Sequence, residues 1–179
     1  AVFCPCQTAK TTDLCSQYSK PKTHLSYLPH SKHEIDLARI PNKQVVTFIH
    51  NNNLYRLKDF ADLESFSRSH PDIEDFHHHT KTFYIQKPIE EVWAAYKNIP
   101  PKNAWCGNML QFGLQYCRKG NNLSYLDDEY KGAVVGQIVL IRVKVLGGLA
   151  KIAVGHEITA VNDNQHMLET CYLLKGKSM

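Results

Sequence analysis

The chain has 179 residues, 43% hydrophobic and 21% charged. That balance excludes disorder throughout and suits one domain, or one domain with an extension. The net charge of +4 comes wholly from residues 80–179, where twelve basic residues face eight acidic ones; they are scattered rather than striped, so no nucleic-acid surface is expected.

Residues 1–44 read as a mostly irregular extension. They carry Pro5, Pro21, Pro29 and Pro41 without any sustained apolar period, and proline disfavours helix and sheet interiors. Cys4, Cys6 and Cys15 crowd this polar segment. Cys-Pro-Cys with a distant third cysteine could bind a soft metal, but the spacing is not that of a zinc finger. The first residue is Ala1 and no signal peptide is visible, which is compatible with an exported mature chain and leaves the compartment open.

Residues 45–79 read as a small hairpin followed by a helix. Val45-Val46-Thr47-Phe48-Ile49-His50 is β-prone, Asn51 to Asn53 suit a turn, and Leu54 to Leu57 return as a second strand. Phe60, Leu63 and Phe66 then fall at spacing three, which predicts a helix over residues 58–70 ended by Pro71. His77-His78-His79 is a candidate metal tract or surface loop.

Residues 80–179 change in texture. Alternation predicts a strand over residues 80–86. Pro88 opens a helix whose stripe is Ile89, Val92, Trp93 and Tyr96, with Glu90 and Glu91 in its first turn. A short helix is expected over residues 102–106. Strands follow over residues 109–118, 123–130, 134–146, 149–161 and 167–174, separated by Gly and Asn turns. Leu110, Phe112, Leu114 and Tyr116 are expected on one face of their strand. Val139, Ile141, Val143 and Val145 share a face of theirs, which leaves Arg142 and Lys144 toward solvent. The longest near-continuous apolar run, residues 133–145, is broken by Gly136, Gln137, Arg142 and Lys144, so no transmembrane segment is expected.

The segment Thr82-Phe83-Tyr84-Ile85-Gln86-Lys87-Pro88-Ile89-Glu90-Glu91-Val92-Trp93, followed by a short helix and a strand meander, resembles the START-like, or SRPBCC, superfamily over residues 80–179. The resemblance implies an α+β, helix-grip-like fold. In it a curved antiparallel sheet, with short helices after its first strand, surrounds an apolar cavity. Members bind lipids, sterols or polyketides, and a minority act as cyclases or aromatases. The family expects one more strand and a long C-terminal helix beyond the point where this sequence ends. Either the helix at residues 58–70 or a partner chain would then close the sheet, and a homodimer is one such arrangement.

Trp93, Tyr96, Trp105, Phe112 and Tyr116 are the candidate ligand-binding aromatics. The alternative reading for each of them is ordinary core packing. His156 lies in phase with Ala150, Ile152 and Val154, as a ligand-orienting donor, a general base or a satisfied core histidine. Its neighbour Glu157 must point to the opposite face. Asp127, Asp128 and Glu129 form an acidic run, as a cation site or a solvated strand end. Cys106, Cys117 and Cys171 read as buried thiols. No nucleophile elbow, phosphate loop, dinucleotide fingerprint or metalloprotease motif is present, so no cofactor is implied and no catalytic residue is assigned. The leading expectation is a binder of a hydrophobic small molecule or lipid. A cyclase-like enzyme and an interaction module completed by a partner are the alternatives.

Overall fold

A computed structural model describes residues 35–65 and 79–173. Cys4, Cys6, Cys15, Phe66, His77, His78 and the chain beyond Leu173 lie outside the described residues. Four α-helices, two short 3-10 helices (Leu37–Arg39 and Leu146–Gly148) and five strands are defined within them. The α-helices are α1 (Lys43–Asn51), α2 (Leu57–Ala61), α3 (Ile89–Asn98) and α4 (Pro101–Ala104). The strands are β1 (Leu110–Cys117), β2 (Asn122–Ser124), β3 (Gln137–Val145), β4 (Ala150–Asn162) and β5 (Met167–Tyr172). The class is α+β, and the strands form one antiparallel sheet in the order β2-β1-β3-β4-β5.

The first arm of the hairpin expected at residues 45–57 is instead helical, within α1, while residues 54–56 are non-helical and Leu57 opens α2. The β-branched residues of that arm favour a strand, but Val45 and Ile49 are four apart and both fully buried. A helix puts the two on one face against the sheet, and that burial outweighs local propensity. The Asn51–Asn53 turn is present, though it ends a helix. Asn52 Nδ2 donates to the Phe48 carbonyl at 2.8 Å, and Asn53 takes the left-handed conformation at φ 53°. The packed unit starts before residue 44, since Ile40 and Asn42 are buried and Asn42 Nδ2 donates to the Phe112 carbonyl at 2.7 Å.

Of the helix expected over residues 58–70, the described part ends at Ala61, and residues 66–70 lie outside the described residues. Beyond Ala61, Leu63 and Ser65 are buried, and Ser65 pairs with Leu173 as an antiparallel bridge. Spacing of three over so few residues cannot separate a helix from a buried extended segment. The strand expected over residues 80–86 is absent. Tyr84 is 92% exposed, because alternation marks a pleat but supplies no neighbouring strand to bond with. Helices α3 and α4 stand close to their expected positions, with Glu90 and Glu91 in the first turn of α3.

Strands β1, β3, β4 and β5 follow the meander read from the sequence. The expected strand over residues 123–130 shrinks to β2, because Asp128 turns the chain. Its carboxylate accepts from the Tyr125 N–H at 2.9 Å, while its own N–H donates to the Tyr125 carbonyl at 3.1 Å. The sheet departs from simple alternation at two bulges, between Phe112 and Leu114 and between Ile158 and Ala160. The first splits the face expected for β1. Leu110 and Phe112 lie with Val143 and Ile141, whereas Leu114 and Tyr116 lie with Leu140 and Ile138 on the other side.

The second of these sides carries the main core. Val45, Ile49 and Phe60 pack there against Leu114, Ile138 and Leu140, all at 0–1% exposure. Arg142 belongs to the same side and is 4% exposed rather than solvated. Its guanidinium donates to the Asn108 carbonyl at 3.2 Å, so burial leaves it partnered. The opposite face holds a smaller cluster of Phe112, Val139 and Ile141 with Trp105, Leu110, Val143 and Val154.

Gly113 lets α1 approach the sheet. A Cβ there would lie 2.6 Å from Val45 Cγ2 and 3.0 Å from the Leu140 carbonyl oxygen. Gly113→Ala is therefore expected to cost about 1–3 kcal/mol, the usual range for overpacking. In a Val45→Ala background most of that cost should vanish, giving a coupling readable in a double-mutant cycle of urea unfolding. Equal costs in both backgrounds would show that α1 does not rest on this glycine.

Candidate functional site

His156 stands on β4 opposite Val139 of β3 and Tyr172 of β5. Strand alternation puts it on the face of the smaller apolar cluster, as the sequence predicts. Trp105 caps the C-terminal end of α4, and its carbonyl accepts from the Phe112 N–H at 3.0 Å. That bond pins α4 to the start of β1. The Trp105 ring stacks on Phe112, with centroids 6.3 Å apart and planes 3° from parallel. His156 meets the same indole edge-on at 5.6 Å and 75°. Both geometries are favoured by the ring quadrupoles.

This setting determines the charge of His156. Desolvation by burial pushes its pKa down from 6.5 to about 4, so the imidazole is neutral at pH 7, with one donor and one acceptor nitrogen. Neither nitrogen forms a hydrogen bond with a described residue. Among the described residues no fully enclosed side-chain polar atom lacks a partner, so the nitrogens reach the surface. The result is a neutral polar group at the edge of an apolar, aromatic wall. Ile152, in phase with His156 on the same strand face, is 44% exposed.

The other expected residues do not all join this group. Trp93 is buried at 8% exposure, and its Nε1 donates to Asp163 Oδ1 at 2.8 Å. Lys97 Nζ lies 2.5 Å from the same oxygen. The Lys97 hydrogen bond, reinforced by Trp93, holds the Asp163 carboxyl below its ordinary range. Trp93 also packs edge-on against His166 at 5.9 Å and beside Tyr96 at 6.3 Å. Its indole N–H thus docks α3 onto the β4–β5 turn. Tyr96 is half-buried, and desolvation raises its hydroxyl pKa.

Tyr116 does not share the strand face expected for it with Phe112. It is 1% exposed, lies on the opposite side of the sheet from His156, and packs on Phe60 at 5.6 Å. Its hydroxyl donates to Asn121 Oδ1 at 2.9 Å. The bulge after Phe112 puts it there, so Tyr116 shares no pocket with Phe112.

The remaining candidates have structural partners. Glu157 faces away from His156, as alternation requires, and pairs with Arg118 at 2.8 Å. Asp127 and Asp128 each lie 2.5 Å from the Arg39 guanidinium, which sits 4.1 Å above the Tyr125 ring. Arg39 was legible only as one more cation in the supposed extension, and no local signal joins it to residues 88 and 89 positions away. Among the described residues no group of three or more His, Cys, Asp or Glu side chains could hold a metal. Cys106 is an exposed free thiol rather than a buried one, because it falls just past the end of α4. Cys117 is a free, half-buried thiol, and Cys171 is half-buried.

Two open grooves lie elsewhere. One, of about 500 Å³, runs between α1 and β4 beside Thr47, Phe48, Asn51, Gly155 and Leu173. The other, of about 590 Å³, adjoins Ile35, Tyr55, Arg56 and Asp59. None of the six expected ligand residues is among the residues lining either groove. No helix among the described residues is long and apolar enough to cross a membrane. No protein-family model matches the chain, and no curated protein or solved structure is significantly similar to it.

Proposed function

We propose that the chain binds a hydrophobic small molecule or lipid on the sheet face bordered by Trp105, Phe112 and His156. The observation that carries this reading is His156. It is neutral, desolvated and set edge-on against an indole, and its nitrogens are unclaimed by any described side chain. An apolar ligand with one hydroxyl or carbonyl suits such a wall: the rings supply area and the imidazole fixes orientation. On the α1 side of the sheet Val45, Ile49 and Phe60 fill the centre, and the groove beside β4 holds none of the expected ligand residues, which favours the opposite face. The START-like resemblance and a helix-grip arrangement belong to this proposal, with α3 and α4 bordering the ligand.

Binding is favoured over cyclase-like catalysis because acid–base chemistry wants a second titratable group beside the imidazole. The neighbouring carboxylate, Glu157, is on the other side of the sheet and engaged by Arg118.

Native mass spectrometry of protein purified without detergent tests the proposal. The expected spectrum shows a bound mass that is released on denaturation. Its retention should fall about fivefold in His156→Leu, the worth of one hydrogen bond near 1 kcal/mol, and further in Trp105→Ala. An empty monomer would sink the reading. An empty dimer would favour the interaction module.

A further inference from the structure

The β3–β4 hairpin ends in Leu146-Gly147-Gly148-Leu149. Its two leucines are 75% and 91% exposed. Leu146, Gly147 and Gly148 all have positive φ, at 53°, 66° and 100°. Glycine adopts that conformation freely, but a bulky side chain rarely does, and asparagine is the ordinary non-glycine choice. The tip therefore holds a large apolar residue in a conformation that suits a small polar one, and points it at solvent.

The arms of the hairpin are two-sided. Register puts Val143, Val145, Ala150 and Ile152 on one side. Arg142, Lys144 and Lys151 occupy the other, with Lys144 directly opposite Lys151. Like charges facing each other across a ladder are unfavourable. Nothing local relieves them: the sequence has no acidic residue from 130 to 156. Among the described residues no carboxylate pairs with any of the three cations. Arg142 and Lys144 instead donate to Asn108, through its carbonyl and side-chain oxygen respectively.

We infer that this hairpin tip docks on an anionic lipid bilayer surface. The leucines enter the acyl boundary and the lysines meet anionic headgroups. A convex tip of two leucines needs a soft apolar phase rather than a shaped pocket, and Lys144 and Lys151, which face no carboxylate among the described residues, favour negative charge at the same depth. A second copy of this chain docked tip to tip fails the charge requirement, since a symmetric contact would set the lysines against their own kind. The inference stands on the hairpin alone and does not depend on a ligand at His156.

Co-sedimentation with vesicles tests it. The full chain is expected to pellet with phosphatidylcholine vesicles containing about one-third phosphatidylserine, and far less with phosphatidylcholine alone. Raising salt from about 0.1 M to about 1 M should weaken the binding. Lys144→Gln with Lys151→Gln should weaken it about 25-fold, at about fivefold per cation, and remove the salt dependence. Leu146→Asn with Leu149→Ser should lower it on the order of a hundredfold, at roughly tenfold per buried leucine. Asparagine keeps the left-handed position satisfied, and an unchanged thermal melt will show that the fold is intact. Failure of the native chain to bind acidic vesicles overturns the inference, as does equal binding by the native chain and both variants. Concentration-dependent dimerisation lost in the leucine variant, without vesicle binding, would assign the tip to a second copy instead.

Discussion

Replacing Glu157 with alanine is expected to lower the unfolding free energy by about 3–5 kcal/mol, the cost of breaking a buried ion pair. Glu157 is 2% exposed. Arg118 Nε donates to its Oε1 at 2.8 Å, and Arg118 Nη2 reaches Oε2 at 3.4 Å. The same guanidinium donates to the carbonyls of Ala61 and Leu63. One side chain thus ties the sheet to the chain leaving α2. Alanine would leave the guanidinium without its countercharge in a low-dielectric setting, where the loss exceeds the pair's own net worth. Urea unfolding should show a lower midpoint at an unchanged slope. Replacing both partners together, Arg118→Met with Glu157→Leu, should recover part of the loss, because no orphaned charge remains although the carbonyls of Ala61 and Leu63 lose their donor. A loss below about 1 kcal/mol for Glu157→Ala would mean that the pair behaves as an exposed one.

The second large effect is a dependence of stability on pH set by His156. Its pKa is about 4 in the folded chain and 6.5 as the reference value. Above pH 6.5 both states are neutral and the group contributes no pH dependence. As pH falls from 6.5 toward 4 the unfolded chain takes up the proton first, so stability falls. Below pH 4 both states are protonated and the effect is complete. At 1.36 kcal/mol per pH unit the gap amounts to about 3 kcal/mol. Urea titrations at pH 7 and pH 4 should show this loss in the native chain, and His156→Phe should remove it. The hydrogen-bonded carboxylates Asp127 and Asp163 have pKa values below 3.8, so their loss falls mainly at lower pH. An equal slope in the native chain and His156→Phe between pH 7 and 4 would show that the imidazole is not desolvated.

The candidate site was only partly legible in the sequence, and the reason is visible residue by residue. His156 could be assigned to a strand face with Ile152 and Val154 because alternation is local. Nothing local brings Trp105 to it: that contact depends on α4 folding back over β1. Trp93 looks like any aromatic on an apolar stripe until Asp163, seventy residues away, claims its indole N–H. Tyr116 was grouped with Phe112 by strict period two, and one extra residue at Gly113 sent it through the sheet. A glycine inside an alternating run is the one signal that could have warned of the bulge.

What the sequence determined by itself is the set of elements whose cause lies within a few residues. Pro88 and the Ile89–Tyr96 stripe specify α3. Alternation between Gly and Asn turns specifies β1, β3, β4 and β5. Adjacency on a strand puts His156 and Glu157 on opposite faces. What only the tertiary structure decided is every choice that turns on a distant partner. Val45–His50 became a helix because Gly113 leaves room for Val45. The chain after α2 became extended because Leu173 was there to pair with Ser65, and Arg142 was buried because its side of the sheet carries the main core. Periodicity records which residues must face away from water. It does not record which surface will meet them, and that surface sets the final conformation wherever local preferences are weak.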